Sequence, residues 1–297
     1  MFGKLQFPII AAPMAGVTDQ PFRRILRKLN PETPIMTEMI SCHSITAKGG
    51  GRNDDTYFGE NTGAQIFGAE PVLMAEAARI LESRGAAWID INMGCPVPKV
   101  ATRAGAGAFL MRDHKLAGEI MRAVARAVKI PVSIKTRLGW DEKHLDAGDL
   151  LRIAAESGIG FATVHARTRA DGYAGKADWA AIPTPENLPI IFNGDIKTRV
   201  DIDAVKKLGA NGAMIGRAML GTPYFFTNPE SRIANPDIIA EHFELMLSYY
   251  GKQGVPMFRK HAAWYAAGRS GANRFRQQAN QISDAIEMRK AIKDFFS

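Results

Sequence analysis

The sequence predicts an α/β fold: a (β/α)8 TIM barrel followed by a small C-terminal all-helical domain. Three observations support this prediction. Eight short apolar runs alternate with helical patterns over about 220 residues, which is the order of a strand–helix repeat. Most of these runs are apolar throughout, as parallel strands covered on both faces should be. No dinucleotide-binding fingerprint occurs among them, so a closed barrel is favoured over its competitor, a doubly wound open sheet.

The predicted strands are β-rich runs between turn residues. In chain order they cover residues 8–14, 34–40, 64–68, 88–92, 132–136, 162–166, 189–194 and 212–216. The helical patterns between them cover residues 21–29, 71–84, 114–128, 147–157 and 199–208. The pattern over 71–84 shows the expected period, because Leu73, Ala77, Ile80 and Leu81 form one apolar stripe and Gly85 ends it.

Strand-like runs stop near Thr227. The next segment, NPDIIAEHFELMLSYYG, predicts a helix capped by Asn235 with Pro236 in its first position. Three more helical segments follow it. We therefore divide the chain into a barrel over residues 1–226 and a separate basic helical domain over residues 227–297.

Composition narrows the function classes. The chain has 297 residues, 46% hydrophobic and 23% charged, which is ordinary for a soluble globular protein. No apolar run is long enough to span a membrane. Pro8 and Pro13 interrupt the apolar N-terminal stretch, so we interpret it as mature protein and expect a cytoplasmic location. Two cysteines cannot build a disulfide framework, and no Cys/His spacing predicts a metal site.

The net charge of +8 is unevenly distributed. Residues 231–297 contain ten basic and six acidic side chains, so this short segment carries half of the excess. A basic bias of this kind indicates a polyanionic partner, most simply a nucleic acid. A solvated basic surface without a partner is the alternative, and charge alone does not decide between them.

Polar residues and glycines stand where the predicted strands end, and the active sites of such barrels lie at those ends. The residues in question are Pro13, Met14, Ala15, Gln65, Asn92, Cys95, Lys135, Arg137, His165, Arg167, Asn193, Gly194, Asp195, Gly216 and Arg217. A single polar residue in an apolar strand is usually a satisfied core group, but several at one mouth predict a site. The NGD and IGRAMLG turns suit a phosphate, although tight turns alone also need glycine.

Cys95 can be interpreted in four ways. A disulfide or a metal role lacks partners in the sequence. A buried inert thiol is the general expectation for a cysteine. The fourth interpretation is a reactive thiol, because Cys95 follows a strand end beside a loop that carries Lys99 and Arg103. Cys42 lacks such surroundings, and we predict a structural role for it.

The histidines also divide into one candidate site residue and others with no predicted role in the site. His165 is delivered to the mouth by an apolar strand, so a site role is predicted for it. His261 could contact an anion or lie on a basic helix face. Solvent-exposed or capping positions are expected for His43, His114, His144 and His242.

The motifs APMAGVTD, QIFG, INMGCP, SIKTR, VHARTR, NGDI and IGRAMLG, in this order, resemble the dihydrouridine synthases, flavin enzymes that reduce uridine in tRNA. The resemblance covers essentially the whole chain. The segment FRKHAAWY is similar to the bacterial B-type branch of the family.

The resemblance implies FMN as cofactor, NADPH or NADH as transient reductant, and tRNA as partner. We also expect no metal, no membrane association and a monomer. Cys95 would donate a proton to C5 of uracil, opposite a hydride delivered to C6, with Lys135 and His165 also at the reacting centre. Substrate contacts are implied for Asn92, Arg137, Arg259 and Lys260. Residues implied to bind the flavin are Pro13, Met14, Ala15, Gln65, Lys135, His165, Asn193, Gly194, Asp195, Gly216 and Arg217.

Two other functions remain open from the residues themselves. One is an FMN barrel that reduces a free small molecule. The other is a non-catalytic RNA-binding protein on a barrel scaffold. In the helical segment Trp264, Tyr265 and Phe275 could grip RNA, but we expect at least two of them to form the core.

Overall fold

The computed structural model describes residues 5–47, 58–59, 61–101, 105–228 and 235–297. Eight parallel strands close into a barrel in chain order, and the last pairs with the first. They are β1 (Ile9–Ala11), β2 (Ile35–Ser41), β3 (Thr62–Phe67), β4 (Trp88–Asn92), β5 (Val132–Arg137), β6 (Phe161–His165), β7 (Ile190–Asn193) and β8 (Gly212–Ile215). The predicted TIM barrel is therefore confirmed, and the open sheet is excluded.

The helices follow the predicted order. They are α1 (Gln20–Leu29), α2 (Cys42–Thr46), α3 (Pro71–Ser83), α4 (Pro98–Ala101), α5 (His114–Ala127), α6 (Ala147–Glu156), α7 (Arg199–Lys207), α8 (Pro236–Tyr250), α9 (Gly254–Tyr265), α10 (Ala272–Gln281) and α11 (Ala285–Phe296). Sequence reasoning misses α2 and α4 because five and four residues are too few to show a helical period. Asn235 caps α8 as predicted, since its side chain accepts the Asp237 N–H at 2.8 Å.

Large apolar side chains from several strands pack together in the core of the barrel unit. They are Ile10, Met36, Trp88, Phe161, Ile191 and Met214, with Ala12. Gly63 leaves room for the Trp88 indole, because a Cβ at position 63 would lie 2.1 Å from Trp88 Cε2. Strand β1 is shorter than predicted, and Pro13 has no N–H with which to extend the ladder.

The chain packs as two compact units. The first contains residues up to Thr18 and Glu32–Gly216, and the second contains Asp19–Pro31 and Arg217–Ser297. Helix α1 therefore packs with the C-terminal helices: the Tyr250 hydroxyl donates to the Asp19 carboxylate at 3.0 Å. The C-terminal part of the second unit begins at Arg217, which is earlier than the boundary that we predicted after residue 226. As a division of function, that boundary stays a prediction.

Two histidines lie in the core of the second unit, so the expectation of an exposed or capping His242 is wrong. His242 and His261 are 0% and 1% exposed. Their rings lie 4.6 Å apart, and each is within 6 Å of the Phe22 ring from α1. The buried His261 likewise does not line a basic helix face. Sequence periodicity marks these positions as helical but does not identify the helix that covers them.

The aromatic residues of the second unit behave largely as core. Tyr265 and Phe275 are each 3% exposed, and Phe275 stacks on Phe295 at 4.3 Å. Trp264 is half-exposed. The expectation that at least two of the three form the core is confirmed, and only Trp264 presents part of its surface to solvent.

Acid is expected to destabilise the helical unit. Burial, reinforced by the charge of Lys260, lowers the pKa of His242 to about 3. The unfolded chain therefore binds this proton near pH 6.5 while the folded chain does not, so the free energy of unfolding falls as the pH decreases through that range. At pH 5, protonation of His242 in the unfolded chain lowers the free energy of unfolding by about 2 kcal/mol. Urea unfolding of His242→Gln at pH 7 and pH 5 should show a smaller pH dependence than the wild type.

An unchanged pH dependence in His242→Gln would show that the buried imidazole does not drive the acid sensitivity.

Candidate active site

The strand register gathers the predicted polar residues at one end of the barrel. Asn92 pairs with Lys135 between β4 and β5, Arg137 with His165 between β5 and β6, and His165 with Asn193 between β6 and β7. Residues two apart on a strand share a face, so Lys135 and Arg137 lie on the same side of β5. The structure thus brings these five residues together at the carboxyl ends of four adjacent strands.

The loop that carries Cys95 is held at both backbone groups. The Asn92 Oδ1 accepts the N–H groups of Cys95 at 2.9 Å and Gly94 at 3.2 Å. The Cys95 carbonyl accepts the Ala108 N–H at 3.1 Å. The thiol is free and half-exposed. Cys95 is therefore not the buried inert thiol of the general expectation, and its reactive role stays a prediction.

Cys42 is the opposite case. It is 0% exposed, and burial is the main cause that raises the pKa of its thiol. A Cβ at Gly68 would lie 2.3 Å from its sulfur, so the site is closely packed. The structural role predicted for Cys42 is confirmed.

Two cations of β5 interact electrostatically with Cys95. Arg103 lies outside the described residues, as does the side chain of Lys99, so the basic loop predicted beside the thiol stays a prediction.

The charges of Lys135 and Arg137 both interact with Cys95. Desolvation, followed by the charge of Arg137, lowers the pKa of Lys135 to about 8, while Asp90 and Cys95 oppose the shift. Lys135 is therefore mostly protonated at neutral pH but titrates in mild alkali.

Arg137 ties two loops of the mouth together. Its Nε donates to the Gly94 carbonyl at 2.8 Å, and its Nη1 donates to the carbonyls of Thr168 at 2.9 Å and Gly172 at 2.8 Å. Its guanidinium also lies 5.6 Å from the centre of the Tyr173 ring. This buried cation therefore fixes the backbone next to Cys95 relative to the loop after β6.

Arg167 organises the other side of the mouth. Its Nη2 donates to the Asp195 carboxylate at 2.5 Å, and its Nη1 lies 3.3 Å from the His165 Nε2. Because a guanidinium only donates, Nε2 of His165 accepts, and the ring carries its proton on Nδ1. Burial would raise the pKa of Asp195, but hydrogen bonds from Arg167 and the Ala177 N–H outweigh it and lower the pKa.

Sequence reasoning places Arg167 at the mouth but assigns it no binding or catalytic role, and it misses Tyr173 altogether. The Tyr173 side chain is 63% exposed, and its ring lies 6.1 Å from that of His165. The available signal is an aromatic residue between Gly172 and Gly175, both of which have left-handed backbone.

The segments that follow the first and last strands line the mouth mainly with backbone and apolar groups. After β1, Pro13 and Met14 are half-buried while Ala15 is exposed. After β8, a Cβ added at Gly216 would make only ordinary contacts, 3.8 Å from Ala12 Cβ and from Met14 Sδ. Arg217 is exposed and begins the 3-10 turn Arg217–Met219 of the second unit.

Gly194 is required by its surroundings. Its φ is +112°, and an added Cβ would lie 2.8 Å from the His165 Cδ2 and 3.0 Å from the Ala177 Cβ. Asp195 follows with a φ of +52°, so two successive residues turn the chain in the left-handed region. Asn193 supports this turn by donating to the Met214 carbonyl at 2.8 Å.

We expect Gly194→Ala to lower the free energy of unfolding by about 2 kcal/mol or more, because backbone strain adds to the clash with His165. Gly175→Ala is the matched control: its φ is also positive, at +62°, but nothing lies within 4 Å of the added Cβ. Its cost should be about 1 kcal/mol. Urea unfolding measures both, and equal costs would contradict the clash.

The two basic residues predicted in the second unit differ in their surroundings. The Arg259 Nε and Nη2 both donate to the Ile282 carbonyl, at 3.1 and 2.6 Å, so its guanidinium closes the C-terminal end of α10. Lys260 is half-buried. A substrate contact by either residue stays a prediction.

Neither a metal-binding cluster nor a membrane-spanning helix occurs in the part of the chain that the structure describes. No group of three His, Cys, Asp or Glu side chains in that part of the chain lies close enough to hold a metal ion. Nor does any helix there have the length and apolar character needed to cross a membrane.

Known proteins resemble this chain over nearly its full length. A family model described as dihydrouridine synthase matches residues 9–297. A protein of Rickettsia conorii named "Probable tRNA-dihydrouridine synthase" is 36% identical, over 99% of this chain and 95% of its own length. The tRNA-dihydrouridine synthase B of Pseudomonas aeruginosa is also 36% identical, over 97% of this chain and 92% of its own length.

Among solved structures, histamine dehydrogenase from Rhizobium sp. 4-9 superposes with a TM-score of 0.56. The match covers 82% of this chain and 49% of that one, at 12% sequence identity. Likeness at this identity supports the barrel fold alone.

Proposed function

Because the chain belongs to the dihydrouridine synthase family, we propose that it is a flavin-dependent enzyme that reduces uridine in tRNA to dihydrouridine. The observation that carries the proposal is the half-exposed Cys95 at the barrel mouth, whose backbone is anchored and which interacts electrostatically with Lys135 and Arg137. This arrangement combines a proton donor with positive charge, as reduction of a polarised double bond requires.

The residues at the mouth fit FMN. Pro13, Met14 and Ala15, which follow β1, would contact the ring system, and the Gln65 amide from β3 and the Lys135 cation from β5 would contribute to the same site. The left-handed turn at Gly194 and Asp195, together with Gly216, would accommodate the ribityl phosphate, because such turns aim backbone N–H groups at anions. The Asp195 carboxylate is already paired with Arg167, so Asp195 would contribute its backbone. Contact by Arg217 remains part of the proposal.

FMN, when bound at these residues, would provide hydride chemistry at C6 of the uracil, and NADPH would be the reductant that restores it. Cys95 donates the proton from its Sγ to C5. The hydrogen bonds of the Cys95 backbone with Asn92 and Ala108 hold the main chain that carries the thiol. Lys135 places positive charge where negative charge develops during the reduction. Arg137 holds the Cys95 loop from its other side and, with Asn92, would orient the uracil.

A base can reach a barrel mouth only after it has left the RNA stack. The basic second unit would supply the phosphate contacts that offset this cost, with Arg259 and Lys260 among the candidates. A cytoplasmic location belongs to the same proposal.

The test is to incubate the purified protein with FMN, NADPH and unmodified tRNA and to map dihydrouridine by position. We expect reduction at defined uridines. Reduction of free pyrimidines or enones with no change in the tRNA would favour a small-molecule reductase. A protein that takes up no flavin on reconstitution would favour a non-catalytic RNA-binding role.

Deletion of the helical segment is unsuitable for separating these functions. Helix α1 packs with that segment through Phe22, whose ring lies 5.7 Å from His242 and 5.6 Å from His261. Removing residues 227–297 would therefore expose the apolar face of α1 and confound binding with unfolding. Point substitutions are the better tool.

A further inference from the structure

A buried carboxylate lies beneath the mouth and has no part in the chemistry above. Asp90 is on β4, two residues before Asn92, and is 0% exposed. The Ser133 hydroxyl donates to its Oδ1 at 2.6 Å, and the Gln65 Nε2 donates to its Oδ2 at 2.7 Å. Burial raises the pKa of Asp90 to about 6, against the effects of these two hydrogen bonds and of Lys135. At pH 7 the group is therefore mostly ionised and only accepts.

An acceptor at this position determines the direction of the Gln65 amide. The NH2 group must face Asp90, so the amide oxygen faces the opposite way, where it accepts the Asn92 Nδ2 at 2.8 Å. The Asn92 amide is oriented in turn, and its oxygen is left facing the N–H groups of Gly94 and Cys95. Each amide has one donating and one accepting end, so reversing the first would reverse the second.

We propose that Asp90 is a positioning residue, which sets the direction of the Gln65–Asn92 amide chain and thereby holds the backbone of Cys95 for proton transfer. The chain of hydrogen bonds stands on the geometry alone, and its purpose in proton transfer rests on the proposed function. If the Asn92 amide reversed, its NH2 would face the Cys95 N–H and the anchor would become a repulsion.

Three substitutions separate this role from two alternatives, a charge effect through Lys135 and general loosening of the core. Asp90→Leu removes both the acceptor and the charge. Asp90→Asn removes the charge but keeps an oxygen for Gln65, while its NH2 can donate to the Ser133 hydroxyl oxygen. Ser133→Ala removes the other hydrogen bond to the same carboxylate and leaves the amide chain intact.

The readout is the rate at which iodoacetamide alkylates Cys95 in the full-length protein without substrate, measured by peptide mass spectrometry. Cys42 is 0% exposed and serves as an internal reference for global opening. Asp90→Leu should raise the Cys95 rate about fivefold, the change expected for loss of one backbone hydrogen bond. Asp90→Asn and Ser133→Ala should alkylate at the wild-type rate. Gln65→Met breaks the same chain at its second link and should match Asp90→Leu, even if the latter folds poorly.

Three outcomes would overturn the proposal. An Asp90→Asn rate as high as that of Asp90→Leu would show that charge acts, and an equally high Ser133→Ala rate would show general loosening. Wild-type rates in both Asp90→Leu and Gln65→Met would show that the chain positions nothing. Dihydrouridine formation is assayed in parallel, where Asp90→Asn should restore the activity that Asp90→Leu loses. A wild-type protein that makes no dihydrouridine would refute the proposed function, and the alkylation pattern would still decide the positioning role.

Discussion

Cys95→Ala is expected to lower dihydrouridine formation by about 10²- to 10⁴-fold, the usual contribution of a general acid. Alanine has no proton to donate. The anchor to Asn92 uses the backbone N–H of position 95 and therefore survives the substitution. The measurement is single-turnover reduction of unmodified tRNA, quantified by mass spectrometry of nucleosides, with flavin absorbance confirming that FMN is still bound.

Cys42→Ala is the matched control, since it removes the other thiol from a fully buried position. It should lower stability through the lost packing and leave the proton transfer rate near that of the wild type. Wild-type turnover in Cys95→Ala, with FMN bound, would exclude the acid role of Cys95.

Lys135→Met is expected to lower turnover by about 10²- to 10³-fold, a typical cost of removing one preorganised electrostatic group from an active site. Methionine keeps the apolar stem and removes only the charge. Because the pKa of Lys135 is lowered to about 8, wild-type turnover should fall above about pH 8 as the ammonium group loses its proton. The variant should lack this alkaline limb, which a pH–rate profile would show.

Stability should change in the opposite direction over the same range. Between pH 8 and the ordinary lysine value of 10.5 the unfolded chain binds this proton and the folded chain does not, so the free energy of unfolding rises with pH. Falling turnover with rising stability distinguishes titration of Lys135 from alkaline unfolding. Lys129→Met, at an exposed position, is the control and should keep the wild-type profile. An alkaline limb that persists in Lys135→Met would assign it to another group.

Much of the fold follows from local rules. Apolar runs and turn residues locate all eight strands, and helix signals such as the Asn235–Pro236 start locate nine of the eleven helices that the structure describes. The regular alternation of eight strands with helices then favours a closed barrel over an open sheet. Several candidate site residues were predictable for the same reason, because a barrel brings the ends of its strands to one mouth.

Other features needed the tertiary structure. An apolar stripe on α1 shows that the helix is covered, but not that the C-terminal helices cover it or that His242 and His261 lie at the contact. The sequence places Asp90 two residues before Asn92, yet its partners Gln65 and Ser133 are 25 and 43 residues away along the chain. The sequence by itself determined the strands, the longer helices and the chemistry available at the strand ends. Only the tertiary structure decided which hydrogen-bond partners meet and in which direction each amide points, because strand register and packing set these contacts between residues distant in sequence.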